Sequence, residues 1–261
     1  MQGDCIFTKV NKVPKQYSYL TEDINTDVII IGGGVTGAIV GYYFSKNNIN
    51  SVILEKSRIG HGSTSITTSL LQYELDSNAM YLKPYTTIEN IIQSYKLGLK
   101  ALDEIQEFIE EHGNTCDFKR VDSFLYTSKK LEIKEMEEEY KIRKEGGLDV
   151  EFIDENNNPF SLDVKAGILS KCGGAQFDPY RYTHALIDEG TKKGLKVYEN
   201  TEVVKLEYNE EGVIAETVYG HKVKGKIIIV ATGYNTKLFT NRNFGVKTTA
   251  FNIATKPISN I

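Results

Sequence analysis

The chain has 261 residues, 40% of them hydrophobic and 25% charged, with a formal net charge of −4 at pH 7. That composition suits a folded protein of one large or two smaller domains, and its mild acidity gives no reason to expect nucleic acid or an anionic membrane as partner. Three cysteines, with no Cys-x-x-Cys pair, argue against a disulfide framework and for a reducing, cytoplasmic setting.

Residues 1–26 read as a polar lead-in lying on the surface, without an apolar stretch of signal-peptide length. An apolar run, Val28 to Ile31, then opens into Gly32-x-Gly34-x-x-Gly37, and a helical pattern follows at once. A second apolar run ends at Glu55. The spacing predicts a strand over 27–32, a helix over about 35–47 and a strand over 50–55, which is the context a dinucleotide-binding fingerprint requires. Gly32 permits the tight turn, Gly34 lets a pyrophosphate approach the backbone, and Gly37 lets helix and strand pack closely. Val35 and Thr36 open the helix, whose free N–H groups and positive dipole end suit phosphates. Glu55 can accept hydrogen bonds from ribose hydroxyls and would repel a 2′-phosphate, so NADP is disfavoured.

Residues 56–85 are irregular and rich in Ser and Thr. A helix over about 87–111 carries Ile88, Ile91, Ile92, Tyr95, Leu99, Leu102, Ile105 and Ile109 on one core-facing stripe, with Thr86-x-x-Glu89 as capping box and Gly113 as stop. Short strands are expected within 118–127, and a charged helix over about 129–145 presents Glu137, Glu138 and Glu139 as a solvated face. The stretch 159–174 reads as loop with at most a short strand. Asp178-Pro179 supplies an N-cap and a proline at the first helical position of a helix to about 193, closed by Gly194. A strand over 196–198, a small antiparallel meander and a buried strand over 226–230 complete the pattern. No apolar run is long enough to span a membrane, and His61, His112, His184 and His221 show no metal-ligand spacing.

Three blocks together resemble the FAD-dependent D-amino-acid oxidase and glycine oxidase superfamily, which includes sarcosine oxidases. They are the fingerprint from Asp27 to Glu55, the hydroxyl-rich segment from Glu55 to Leu71, and Gly174 to Pro179 with Glu199 to Val203 and Ala231-Thr232-Gly233. The resemblance implies FAD as cofactor. It sets Lys56 and Arg58 near the ribose or phosphate, and Ser63, Thr64 and Ser65 at the pyrophosphate and ribityl chain. Leu71, with its neighbours Leu70 and Gln72, would lie at the flavin ring, the Val203 backbone at adenine, and Ala231, Thr232 and Gly233 beside the fingerprint strand. His61 does not match the pattern of relatives that bind flavin covalently.

The fold expected is α/β. A Rossmann-like FAD-binding domain is built from 27–86 and 174–240, and an inserted, incomplete α+β substrate domain from 87–173 and 241–261. Members of the superfamily continue well past this point, so the chain reads as the N-terminal part of a longer oxidoreductase. The segments around Ser63 and Gln176 are also similar to a subgroup with a C-terminal Rieske iron–sulfur domain, although no Cys/His cluster for such a centre occurs in these residues. The activity implied is oxidation of an amine or amino-acid C–N bond by hydride transfer to flavin N5. No catalytic residue is identifiable, because the Arg and Tyr that usually hold the substrate carboxylate fall in the missing part. Two alternatives stay open at this stage: an NAD-dependent dehydrogenase, which Glu55 fits equally well, and a non-catalytic nucleotide-binding fragment.

Overall fold

The computed structural model describes residues 5–235 and 239–240. The 241–261 part of the expected substrate domain lies outside the described residues. In chain order the elements are α1 (Ile6–Val10), β1 (Ile24–Asn25), β2 (Val28–Ile31), α2 (Val35–Lys46), β3 (Ser51–Leu54), a 3-10 turn (Ser63–Ile66), β4 (Leu70–Gln72), α3 (Ala79–Leu82), α4 (Ile88–His112) and β5 (Lys119–Thr127). There follow α5 (Ile133–Glu145), β6 (Val150–Asp154), β7 (Ala166–Gln176), α6 (Pro179–Lys192), β8 (Lys196–Tyr198), β9 (Val203–Asn209), β10 (Gly212–Thr217), β11 (Lys222–Gly225) and β12 (Ile227–Val230).

A parallel sheet in the order β12-β2-β3-β8 holds the fingerprint. Its central strands are apolar throughout because both faces are covered. Val28, Ile30 and Ile53 point to one side, where Ala38 and Tyr42 of α2 meet Leu186 and Ile187 of α6. Ile29, Ile31, Val52 and Leu54 point to the other, against Val213, Ala215 and Val223 of the antiparallel meander β11-β10-β9, whose edge β1 joins in parallel. The nucleotide fold is therefore three layers: helices, parallel sheet and meander.

The second unit is an antiparallel sheet around β7. One edge of β7 pairs with β5, and the other with β6 and then β4. Helices α4 and α5 cover one face through Ile91, Ile92, Tyr95, Leu102 and Met136. Farther along α4, Phe108 and Ile109 enter the first core, and the Phe108 ring lies 5.0 Å from that of Tyr42. One helix thus locks both units together.

Several expectations change. The long strand β7 replaces the expected loop over 159–174; Gly167, Gly173 and Gly174 weakened its signal, yet the missing side chain of Gly167 is what leaves room for the Phe124 ring, which a Cβ there would meet at 2.6 Å. The region 118–127 forms one nine-residue strand, and 150–154 forms a strand that no sequence signal announced. The α4 cap is Thr87, whose side chain accepts the Asn90 N–H, one residue later than the expected box. The lead-in is more than surface chain: Leu20 is fully buried and β1 joins the meander. Strand β4 and the end of β7 pair in the antiparallel sheet, although the sequence division sets 27–86 and 174–240 in the nucleotide domain. The largest correction is Glu139, expected in solvent with Glu137 and Glu138 but fully buried. It is buried because Arg143, one turn on, is buried beside it and donates to it at 2.8 Å.

Candidate functional site

The site grows from the turn between β2 and α2, at the C-terminal ends of the parallel strands, where open α/β sheets bind ligands. Gly32 has φ +109°, and a Cβ there would stand 2.4 Å from the Ala231 carbonyl at the end of β12. A Cβ on Gly37 would stand 1.9 Å from the Gly32 carbonyl, so the first turn of α2 lies directly on the loop. At Gly34, the N-cap of α2, a Cβ would meet only the Thr64 hydroxyl, at 3.2 Å. Gly34 has no side chain to cap the helix and no acidic residue stands in its first turn. The helix start is therefore open to an anion.

Glu55 follows the last residue of β3 and closes over this loop. Its Oε2 accepts the Gly33 N–H at 2.7 Å and its Oε1 accepts the Ser57 N–H at 2.8 Å. The carboxylate is held rigidly with lone pairs to spare. The 3-10 turn comes from the other side: Thr64 Oγ1 accepts the Val35 N–H at 3.0 Å, joining the hydroxyl segment to the helix N-terminus. Ser65 is buried and spends its hydroxyl on the Gly62 carbonyl at 2.9 Å, so it shapes the turn. Ser63 is exposed, and its Oγ lies 3.8 Å from where a Gly233 Cβ would be. Gly233 itself has φ +60°, and Thr232 ties the same turn by donating to the Asn235 carbonyl at 2.7 Å. Thus Gly32, Gly34, Val35, Glu55, Ser63, Thr64, Ala231, Thr232 and Gly233, far apart in sequence, meet at one end of the parallel sheet.

Other expected residues stand farther from this cluster. Lys56 is exposed and Arg58 half-buried on the loop after Glu55. Val203 begins β9 and packs in the core beneath β3. Strand β4 alternates: Leu71 turns into the core under α4, while Leu70 is 66% exposed. Leu70, rather than Leu71, therefore offers a side chain to the open face.

Sequence reasoning passed over Glu199. It is 1% exposed, accepts the Ile59 N–H at 2.8 Å and the Tyr17 N–H at 3.0 Å, and so staples the loop after Glu55 to the N-terminal segment. Thr201 accepts the Leu20 N–H at 3.1 Å and donates to the Glu199 carbonyl. The signal was present: Glu199 ends an apolar strand just as Glu55 does. Burial, together with the charges of Asp188 and Glu199, pushes the Tyr17 hydroxyl up to about 12. Below the same loop, burial pushes His184 down to about 4, and its Nε2 has no hydrogen-bond partner among the described residues.

Comparison with known proteins gives a consistent result. A family model described as FAD dependent oxidoreductase matches residues 27–260. The chain is 26% identical over 215 residues to a "Putative Rieske 2Fe-2S iron-sulfur protein YhfW" of Bacillus subtilis, covering 82% of this chain and 42% of that protein. It is 23% identical over 217 residues to a "Gamma-glutamylputrescine oxidoreductase" of Escherichia coli, covering 82% of this chain and 50% of that protein. The chain thus spans about half the length of the curated relatives it matches. Among solved structures, glycine oxidase from Geobacillus kaustophilus superposes with a TM-score of 0.65 at 22% identity, covering 82% of this chain and 57% of that one.

Proposed function

This chain belongs to the FAD dependent oxidoreductase family, and from that premise we propose that the polypeptide it represents oxidises a C–N bond of a small amine or amino acid. The family uses FAD, which sets aside the nicotinamide alternative that Glu55 alone left open. The observation that carries the reading is the meeting of the glycine turn, the Glu55 carboxylate, the Ser63–Thr64 turn and Gly233 at the C-terminal ends of the parallel strands. That arrangement fits FAD: a helix start whose N-cap is a glycine and whose first N–H is met by a hydroxyl of the neighbouring turn, a carboxylate for ribose, and a glycine whose missing side chain leaves room.

In this reading the N–H groups opening α2 hold the pyrophosphate, with Ser63 and Thr64 beside them. Glu55 takes the ribose hydroxyls, while Lys56 and Arg58 supply positive charge along the same loop. The Val203 backbone borders the adenine, and Ala231 to Gly233 form the opposite wall. Leu70 and Gln72 face the flavin ring. When bound, FAD would supply the two-electron acceptor for that oxidation, with N5 as the expected hydride acceptor. The nucleotide-holding part comprises 27–86 with 174–240, and the substrate-facing part 87–173 with 241–261; β7 is the strand that runs from one into the other.

The test is a visible absorption spectrum of the purified chain, denaturation to release the chromophore, and then oxygen or dye reduction with amines, amino acids and glycerol 3-phosphate. Bound FAD and turnover of amines or amino acids support the reading. Bound FAD with turnover of glycerol 3-phosphate alone would leave the cofactor site standing and replace the substrate class.

A further inference from the structure

Beside the start of the antiparallel sheet lies a pocket of about 400 Å³, with Glu74 and Arg143 in its wall. This volume lies in the range of small-molecule sites. The Glu74 side chain is only 9% exposed. Its Oε1 is well served: Ser123 Oγ donates at 2.7 Å and Arg143 Nη1 at 3.1 Å. Its Oε2 is buried and receives no hydrogen bond among the described residues. Buried carboxylate oxygens are almost always supplied with donors, because an unsatisfied one costs free energy. Glu74 therefore has one oxygen that calls for a donor beyond the described residues, and a ligand in the pocket beside it can supply one.

The local charge says what kind of donor. Arg143 is the one cation in this cluster, and it is shared, since its Nε also donates to Glu139 at 2.8 Å. Against it stand Glu74, Glu139 and, on the exposed side of the pocket, Asp76. The cluster carries excess negative charge in a partly desolvated place, where a positive donor gains most. Part of the remaining wall is apolar or aromatic, from Leu75, Phe124, Leu125 and Tyr81, beside the uncharged polar Ser77 and Asn78. Such walls accept an alkyl stem and the face of a ring attracts a cation.

We propose that this pocket binds the protonated amine end of a small organic cation, with Glu74 as its principal acceptor and Asp76 at the entrance. Gln72 of β4 also lines the pocket, one residue past Leu71 in the strand that the reading above sets at the flavin ring. To that extent the identification of this cation with the substrate rests on the amine-oxidation reading; the binding itself does not.

The experiment is isothermal titration of the full 261-residue chain with n-butylammonium chloride, with sodium butyrate, n-butanol and potassium chloride as controls at matched ionic strength. The expected result is one saturable site for butylammonium and none for butyrate or butanol. Glu74→Gln should weaken it at least tenfold and Asp76→Asn about threefold. Should Glu74→Gln fail to fold, the exposed Asp76→Asn carries the comparison. Absence of saturable binding, equal binding of butanol, equal competition by potassium, or indifference to both substitutions would overturn the proposal. The two readings fail separately. Butylammonium binding in a chain that oxidises no amine keeps the pocket and removes the oxidase. Amine oxidation whose KM is unmoved by Asp76→Asn and Glu74→Gln keeps the oxidase and removes the identification of the pocket's cation with the substrate.

Discussion

The Glu55 carboxylate accepts the Gly33 N–H at 2.7 Å, so the acid that ends the second parallel strand holds the glycine turn that ends the first. The residue therefore has two tasks. It shapes the loop through Gly33 and Ser57, and it presents its remaining lone pairs to a ribose. Glu55→Ala leaves two N–H donors without their acceptor and removes the ribose partner. FAD affinity should fall about 10- to 100-fold, the range for losing one or two charge-assisted hydrogen bonds. Fluorescence titration of the apoprotein with FAD measures it, and unchanged affinity would remove Glu55 from the site.

Two glycines of one motif should fail in different ways. A Cβ at Gly34 meets only the Thr64 hydroxyl at 3.2 Å, so Gly34→Val should fold, with a normal circular dichroism spectrum, yet retain no flavin. A Cβ at Gly37 would lie 1.9 Å from the Gly32 carbonyl, so Gly37→Ala must displace backbone. It should destabilise the apoprotein itself, by about 3 kcal/mol in urea unfolding, at the upper end for overpacking. Retained flavin in Gly34→Val would refute the placement of the pyrophosphate.

Breaking the Arg143–Glu139 pair should be costly and removing it cheap. Both side chains are at most 1% exposed, and Glu139 also accepts the Tyr95 hydroxyl at 3.2 Å and the Met80 N–H at 3.3 Å. Arg143→Met strands Glu139 as a buried charge and should cost about 3–5 kcal/mol. Arg143→Met with Glu139→Leu should recover part of that loss. A double variant no better than Arg143→Met would show that the pair does not act as a unit.

Stability should fall with acid through His184. Burial is the main cause of its lowered pKa, with His61 lowering it further and Glu199 and an Ile59 backbone hydrogen bond opposing. The unfolded chain takes up a proton near pH 6.5 while the folded chain resists until about 4. The stability is thus intact above pH 6.5 and is lost progressively as pH falls toward 4, by on the order of 3 kcal/mol. Urea midpoints at pH 7 and 4.5 should differ less for His184→Gln than for the native chain. An equal difference would exclude His184 as the source.

The sequence alone determined what depends on neighbours along the chain. Strand, glycine turn, helix, strand and acid lie within 29 residues, from Asp27 to Glu55, and their hydrophobic periods and turn chemistry are local. The Asp178 cap, which accepts the Arg181 N–H at 2.9 Å, was legible for the same reason. Tertiary structure alone decided matters that depend on what packs across. Charge makes Glu139 look like surface; Arg143, Tyr95 and the underside of β7 bury it. The glycines of β7 hide a strand whose partners in β5 are distant in sequence, as where Val121 pairs with Gly174. The side of β4 that faces outward was fixed by which of Leu70 and Leu71 found a core. The empty oxygen of Glu74 had no sequence signature, because burial and hydrogen-bond supply are properties of the surroundings, which the chain assembles only on folding.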